Sequence, residues 1–140
     1  MNVVEQKAFL NLDLELRSRE DLTPLATYFE SRAIVLFNGF SNDIFQLTVE
    51  PLIGGLNESP QACTEELLQT ISKLPVAHMK LFRDCDTRMF DYGFERCTQA
   101  PPVVADILAT QLSKMSLLGI DLRVTIYPQH ADSPEREIVS

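Results

Sequence analysis

The chain has 140 residues, of which 45% are hydrophobic, and its 12 basic and 20 acidic side chains give a formal net charge of −8. This length fits one domain whose core needs neither a disulfide nor a metal to be stable. The negative charge disfavours nucleic-acid and anionic-lipid partners, and the apolar runs are far shorter than the roughly 20 residues of a membrane-spanning helix.

The N-terminal part predicts a strand followed by a short helix. Residues 9–17, FLNLDLELR, place leucines and polar side chains at alternate positions, so one face of this strand is expected to be buried and the other to be in water. Thr23 and Pro24 suit the first positions of a helix that is expected to end near Ser31.

A β-hairpin is predicted next. The continuously apolar run at 33–37 is typical of a central strand covered on both sides, and the alternating residues 44–50 form the returning strand. The segment between these strands contains the pair Asn38-Gly39, which is a common turn sequence.

Helical structure is predicted before the fourth strand. Ser59 and Pro60 suit the N-cap and first position of a helix that Pro75 ends. Residues 76–84, which follow this proline, can add one or two helical turns with several apolar packing residues.

The C-terminal part predicts a strand, a helix and a strand. Residues 88–95 and 120–127 alternate again, and the segment 102–118 has the apolar spacing of a helix, with Gly119 suited to its C-terminal cap. The side chains expected to face inward from this helix are Val104, Ile107, Leu108, Leu112 and Met115. Residues 129–140 are polar and predict a C-terminal tail.

The predicted order of elements, β-α-β-β-α-β-α-β, indicates an α+β fold. We expect a two-layer sandwich, in which about three helices cover one face of a mostly antiparallel sheet of about five strands. This single domain would span residues 1–128.

The outward positions of four predicted strands carry six acids and two arginines, which hold half of the formal net charge. If these strands share one sheet, they form one acidic face with Asp13, Glu15, Arg17, Glu50, Asp91, Glu95, Asp121 and Arg123. Such a face can be merely solvated, but it also suits a non-enzymatic module that binds a basic protein partner. Because Phe9, Met89 and Tyr127 share its parity, the face suits a homodimer as well.

A second interpretation is a small enzyme with its site near His78, Cys85 and Arg88. Two aspartates flank the cysteine and would raise its thiol pKa, which is the reverse of what a nucleophile needs. The stretch DCDTRMFDYGFE matches a calcium loop only in part, because an arginine replaces an expected oxygen ligand. No phosphate-loop, zinc-protease or nucleophile-elbow motif occurs, so neither a metal nor a cofactor is predicted.

Cysteine spacing and the N-terminus favour the cytoplasm. Cys63, Cys85 and Cys97 form no C-x-x-C motif, and no basic leader followed by an apolar block is present. Three reduced thiols are the expected state, with a Cys85–Cys97 bridge conceivable only in an oxidising compartment.

Several stretches resemble known small domains. DLTPL at 21–25, LFRDCDTRMFDYGFE at 81–95 with its R-x-F-x-x-G element, and VTIYP at 124–128 are similar to bacterial α+β domains that have no assigned activity. This resemblance covers most of the chain, and its motifs are structural, so it implies no functional residue. An acidic α+β domain of this size also resembles bacterial immunity proteins, which neutralise toxins by binding them.

Overall fold

The computed structural model describes residues 8–53, 59–96 and 102–128, and within them it shows an α+β fold. In chain order the elements are β1 (Phe9–Ser18), α1 (Thr23–Glu30), β2 (Ile34–Ser41), β3 (Ile44–Glu50), α2 (Pro60–Ser72), α3 (Val76–Arg83), β4 (Thr87–Glu95), α4 (Ala109–Leu118) and β5 (Asp121–Tyr127). The predicted class is confirmed. The helix count rises from about three to four, because the segment after Pro75 forms a helix of its own. The tail predicted at 129–140 lies outside the described residues.

All five strands form one mixed sheet in the order β2-β3-β1-β4-β5. β1 runs antiparallel to both β3 and β4, and β2 and β3 form an antiparallel hairpin. β4 and β5 are parallel, which is possible because the chain crosses back through α4 before it enters β5. The sheet is therefore mostly antiparallel, with one parallel pair at an edge.

The helices share a core with one side of the sheet. Leu12, Leu14 and Leu16 of β1 are fully buried. Every helix adds side chains to the same core, among them Phe29, Leu67, Ile71, Phe82 and Met115. The alternate positions of the strands point to the other side, which no described helix covers. We call this other side the open face.

The hairpin differs from the prediction in its turn and in its place in the sheet. Asn42 and Asp43 have φ values of 55° and 65°, which is the left-handed geometry of a type I′ turn, whereas the Asn-Gly pair at 38–39 lies inside β2. β2 is an edge strand, and its Leu36 and Phe37 are exposed. The prediction of a central strand covered on both sides was therefore wrong.

The last helix begins later than its apolar spacing predicts. α4 starts at Ala109, and residues 102–108 have irregular backbone. Gln111, which is buried, fixes this start. Its Oε1 accepts a hydrogen bond from the Leu108 N–H at 3.1 Å, and its Nε2 donates to the Gln61 carbonyl of α2 at 3.0 Å.

Among the described residues, the β4–β5 edge of the sheet is therefore only partly covered, because the irregular segment lines a cavity over it instead of packing on it as a helix. Of the side chains predicted to face inward from the helix, Met115 is buried and Ile107 is half-buried, whereas three are exposed: Val104, Leu108 and Leu112. The apolar side of β5 is exposed for the same reason, although its residues have the predicted parity.

Candidate functional site

The open face brings acids from three strands together. Asp13 of β1 lies directly opposite Asp91 of β4, and Glu50 at the end of β3 is hydrogen-bonded to Asp13. Arg123 of β5 lies beside Asp91 on the next strand. The registers thus place these side chains on one face, as the alternation of each strand predicted. We call Asp13, Glu15, Glu50 and Asp91 the carboxylate cluster.

Arg123 balances part of the carboxylate cluster. Its Nη2 donates to Glu15 Oε1 at 2.7 Å and to Asp91 Oδ2 at 2.9 Å. The side chains of Glu15 and Asp91 are only 17% and 12% exposed, so these ion pairs are better shielded from water than ordinary surface pairs. The hydrogen bonds to Asp91 and Glu15 raise the pKa of Arg123, which stays charged.

Asp13 is paired with another acid. Burial, the charge of Glu50 and the hydrogen bond to Glu50, followed by the charges of Asp91 and Glu15, raise the pKa of Asp13 to about 7. Asn11 Nδ2 donates to Glu50 Oε2 at 3.1 Å and to Asp13 Oδ1 at 3.4 Å. Asp13 therefore keeps its proton up to about pH 7, and its hydrogen bond to Glu50 places that proton between two carboxyl groups.

This arrangement can accept a positive group. A lysine ammonium or an arginine guanidinium placed between Asp13 and Glu50 would favour two ionised carboxylates and would take the place of the proton. In the described ranges, no group of three or more His, Cys, Asp or Glu side chains has a metal-binding arrangement.

The carboxylate cluster and Arg123 form one network, which contains five of the predicted partner-binding residues: Asp13, Glu15, Glu50, Asp91 and Arg123. Two others share the face but lie at opposite ends of the parallel strand pair. Glu95 is opposite Tyr127 at one end, and Asp121 is opposite Met89 at the other.

Strand alternation puts two more polar residues on this face, although they were not among the predicted partner-binding residues. Asn11 links Glu50 to Asp13, and the Thr125 hydroxyl donates to Asp91 Oδ1 at 2.8 Å. Both have the parity of the acids on their own strands, and this parity is the signal that could have found them.

Cys85 and His78 of the alternative enzyme site make contacts with different residues. Cys85 is buried, and burial raises the pKa of its thiol to about 12. Its Sγ donates to the Leu81 carbonyl at 3.5 Å. The ring of His78 instead lies beside that of Tyr28, with the centroids 6.2 Å apart. These contacts do not activate a nucleophile.

Arg88, the third residue of that alternative, holds backbone together. Its guanidinium donates to the carbonyls of Arg83 and Cys85 at the end of α3, and to that of Gly119 after α4. One side chain of β4 thereby fixes the ends of two helices.

Comparison with protein-family models, with curated proteins and with solved structures gives no match for this chain. Within the described residues, no helix combines the length and the apolarity that crossing a membrane requires.

Proposed function

We propose that this protein is a non-enzymatic binding module whose open face takes a basic protein partner. The observation that carries the proposal is the proton-holding pair of Asp13 and Glu50, which lies beside Glu15 and Asp91. Arg123 balances only part of this network. A site with more carboxylates than cations gains Coulombic energy when a partner contributes lysine or arginine.

The raised pKa of Asp13 couples partner binding to pH. Below pH 7 the free protein keeps the Asp13 proton, whereas a bound cation favours the ionised carboxylate. Binding then releases a proton, so the affinity for a cation rises as the pH increases through about 7. Above this range the carboxylate is already ionised, and the affinity becomes independent of pH.

An immunity-like role, in which the basic partner is a toxin, is one form of this function, and the protein would act in the cytoplasm. A cytoplasmic location fits the buried thiol of Cys85, and the net charge of −8 argues against nucleic-acid and membrane partners.

Two other functions receive less support. The thiol of Cys85 is protonated at neutral pH, so an enzyme site there would lack its nucleophile. A homodimer through the open face would set two carboxylate clusters against each other, and like charges across an interface are unfavourable.

A lysine hexapeptide with a fluorescent label is a suitable probe, because it supplies the proposed cation without other contacts. Fluorescence anisotropy should show binding to the wild type at about 20 mM salt, and binding should weaken at about 200 mM. The double variant Asp13→Asn/Glu50→Gln should bind about tenfold more weakly.

The matched control, compared at about pH 8.5 where Asp13 is ionised, is Glu20→Gln/Glu30→Gln, which removes the same charge at two exposed positions outside the open face. This control should bind the peptide nearly as well as the wild type does. Equal losses in both double variants would mean that the peptide responds to net charge alone, and the proposed site would be wrong.

A further inference from the structure

β5 is an edge strand with no neighbour on its outer side among the residues that the structure describes. Its pairing with β4 is continuous along its whole length, whereas β2, at the other edge, has an irregular register at Leu36. Such irregularities, and lysine or proline residues, protect strand edges from pairing with further strands. The sequence of β5, DLRVTIY, contains neither residue and its only charged side chains are Asp121 and Arg123, so within the described residues this edge offers unpaired backbone groups to a further strand.

The side of β5 that faces the helix layer is apolar and exposed. Leu122, Val124 and Ile126 are 44%, 52% and 62% exposed. Together with Tyr92 and Phe94 they line a cavity of about 480 Å³. The strand that best continues this edge therefore has apolar side chains on the cavity side and polar ones on the open face. β5 itself has this alternation.

We propose that β5 of a second copy of this chain is the added strand, so that two copies form a two-fold symmetric dimer with one continuous sheet. Antiparallel pairing centred on Val124 uses the whole strand and places no like charges directly opposite each other. A centre at Arg123 would instead oppose two guanidinium groups. The opposed residues around Val124 are Val124 with Val124, Leu122 with Ile126, Arg123 with Thr125, and Asp121 with Tyr127.

Such a dimer has a consequence for the open face. A two-fold axis perpendicular to the sheet leaves both open faces on the same side. Five strand spacings of about 4.8 Å separate the two β1 strands, so the two carboxylate clusters would lie about 24 Å apart. A basic partner long enough to span this distance would meet two clusters on one surface.

Cysteine cross-linking tests the register. In a Cys97→Ser background the other native cysteines, Cys63 and Cys85, are both buried. Val124→Cys lies on the proposed axis and should form a disulfide-linked dimer on mild oxidation, since opposed Cα atoms are about 4.5–5.5 Å apart. Leu122→Cys should cross-link only when it is mixed with Ile126→Cys. Efficient cross-linking of Leu122→Cys alone would overturn this register.

Analytical ultracentrifugation tests the interface. The wild type should sediment as a dimer at about 100 µM, and Val124→Lys as a monomer, because two lysines would meet on the axis. Leu36→Lys is the matched control, since Leu36 is 50% exposed on the other edge strand, and it should remain a dimer. A wild type that is monomeric at about 500 µM, or a dimer lost in Leu36→Lys but kept in Val124→Lys, would overturn the proposal.

The dimer and the proposed function can fail separately. A dimer held by backbone and apolar contacts should persist at high salt, whereas hexapeptide binding should weaken. Each copy carries its own carboxylate cluster, so Val124→Lys should still bind the hexapeptide, and adding Asp13→Asn/Glu50→Gln to it should weaken that binding as it does in the wild type. Asp13→Asn/Glu50→Gln by itself should keep the dimer.

Discussion

Asp13 and Asp91 lie directly opposite each other on neighbouring antiparallel strands. Like charges in this relation destabilise a sheet. The protein reduces the cost in two ways, because Arg123 and Thr125 bind Asp91 while Asp13 keeps a proton beside Glu50. The remaining strain is electrostatic, and a bound cation would relieve it.

Asp13→Asn should stabilise the protein in a pH-dependent manner. The pKa of Asp13 rises from 3.8 to about 7 on folding, so between these values the folded state holds a proton that the unfolded chain has lost. The wild type therefore loses stability as the pH rises through this window. The gain from the substitution should be near zero at about pH 3, and because Asp13 is only half-buried it should level off at about 1–2 kcal/mol above about pH 8.

Urea unfolding of both proteins across this pH range measures the effect. A gain of equal size at acidic and alkaline pH would contradict the assigned protonation of Asp13.

Thr64→Val should cost more stability than Tyr92→Phe. The two hydroxyls are 2.6 Å apart in the core, and Thr64 also donates to the Pro60 carbonyl at 2.7 Å. Loss of the threonine hydroxyl removes a hydrogen bond from both the Tyr92 hydroxyl and the Pro60 carbonyl. We expect this loss to lower the free energy of unfolding by about 2 kcal/mol, against about 1 kcal/mol for loss of the tyrosine hydroxyl. Chemical denaturation gives both values, and the opposite ranking would contradict this network.

Arg88→Gln should destabilise the protein by about 2–3 kcal/mol, because the carbonyls that Arg88 binds belong to two different helix ends. Arg83→Gln is the matched control. The Arg83 guanidinium makes an exposed hydrogen bond to the Leu117 carbonyl at 3.2 Å, and its loss should cost about 0.5 kcal/mol. Thermal unfolding compares the two, and equal costs would show that Arg88 has no special structural role.

Cys85 should be nearly inert towards iodoacetamide in the native protein. The rise of its pKa from 9.0 to about 12 lowers the thiolate fraction at neutral pH by about a thousandfold. Peptide mass spectrometry after timed labelling, with and without denaturant, measures the ratio of rates. Fast native labelling of Cys85 would favour the enzyme interpretation instead.

Asp43→Gly should stabilise the hairpin by about 0.5 kcal/mol. Asp43 has a φ of 65° at the second position of a type I′ turn, where glycine is preferred. Ser41→Gly, one residue before the turn, introduces the same residue into β2 and should cost about 0.5–1 kcal/mol. Differential scanning calorimetry measures the melting temperature of both variants. Equal shifts of the melting temperature would contradict the assigned turn geometry.

The faces of the strands could be predicted because alternation is a local property. The leucines of β1 and the acids between them point to opposite sides whatever the strand pairs with. Strand order is not local. The apolar run at 33–37 has the sequence of a covered strand, yet it lies at an edge, since nothing in its own residues specifies a neighbour.

The late start of α4 and the pairing within the site also depend on residues that are distant in the sequence. Residues 102–108 have helical spacing, but α4 starts only at Ala109. The hydrogen bond from Gln111 to the distant Gln61 carbonyl holds the helix at this start. The acids of the open face could be assigned from parity. Their pairing with Arg123, and the proton on Asp13, depend on which strands become neighbours.

The central position of β1 also affects synthesis at the ribosome. β1 precedes every helix and strand that covers its leucines, so these side chains stay exposed in a nascent chain until those elements have been made. Unpaired apolar strands are prone to aggregate, and charges placed within them act as gatekeepers. Asp13 and Glu15, which lie between those leucines, would keep the newborn polypeptide dispersed.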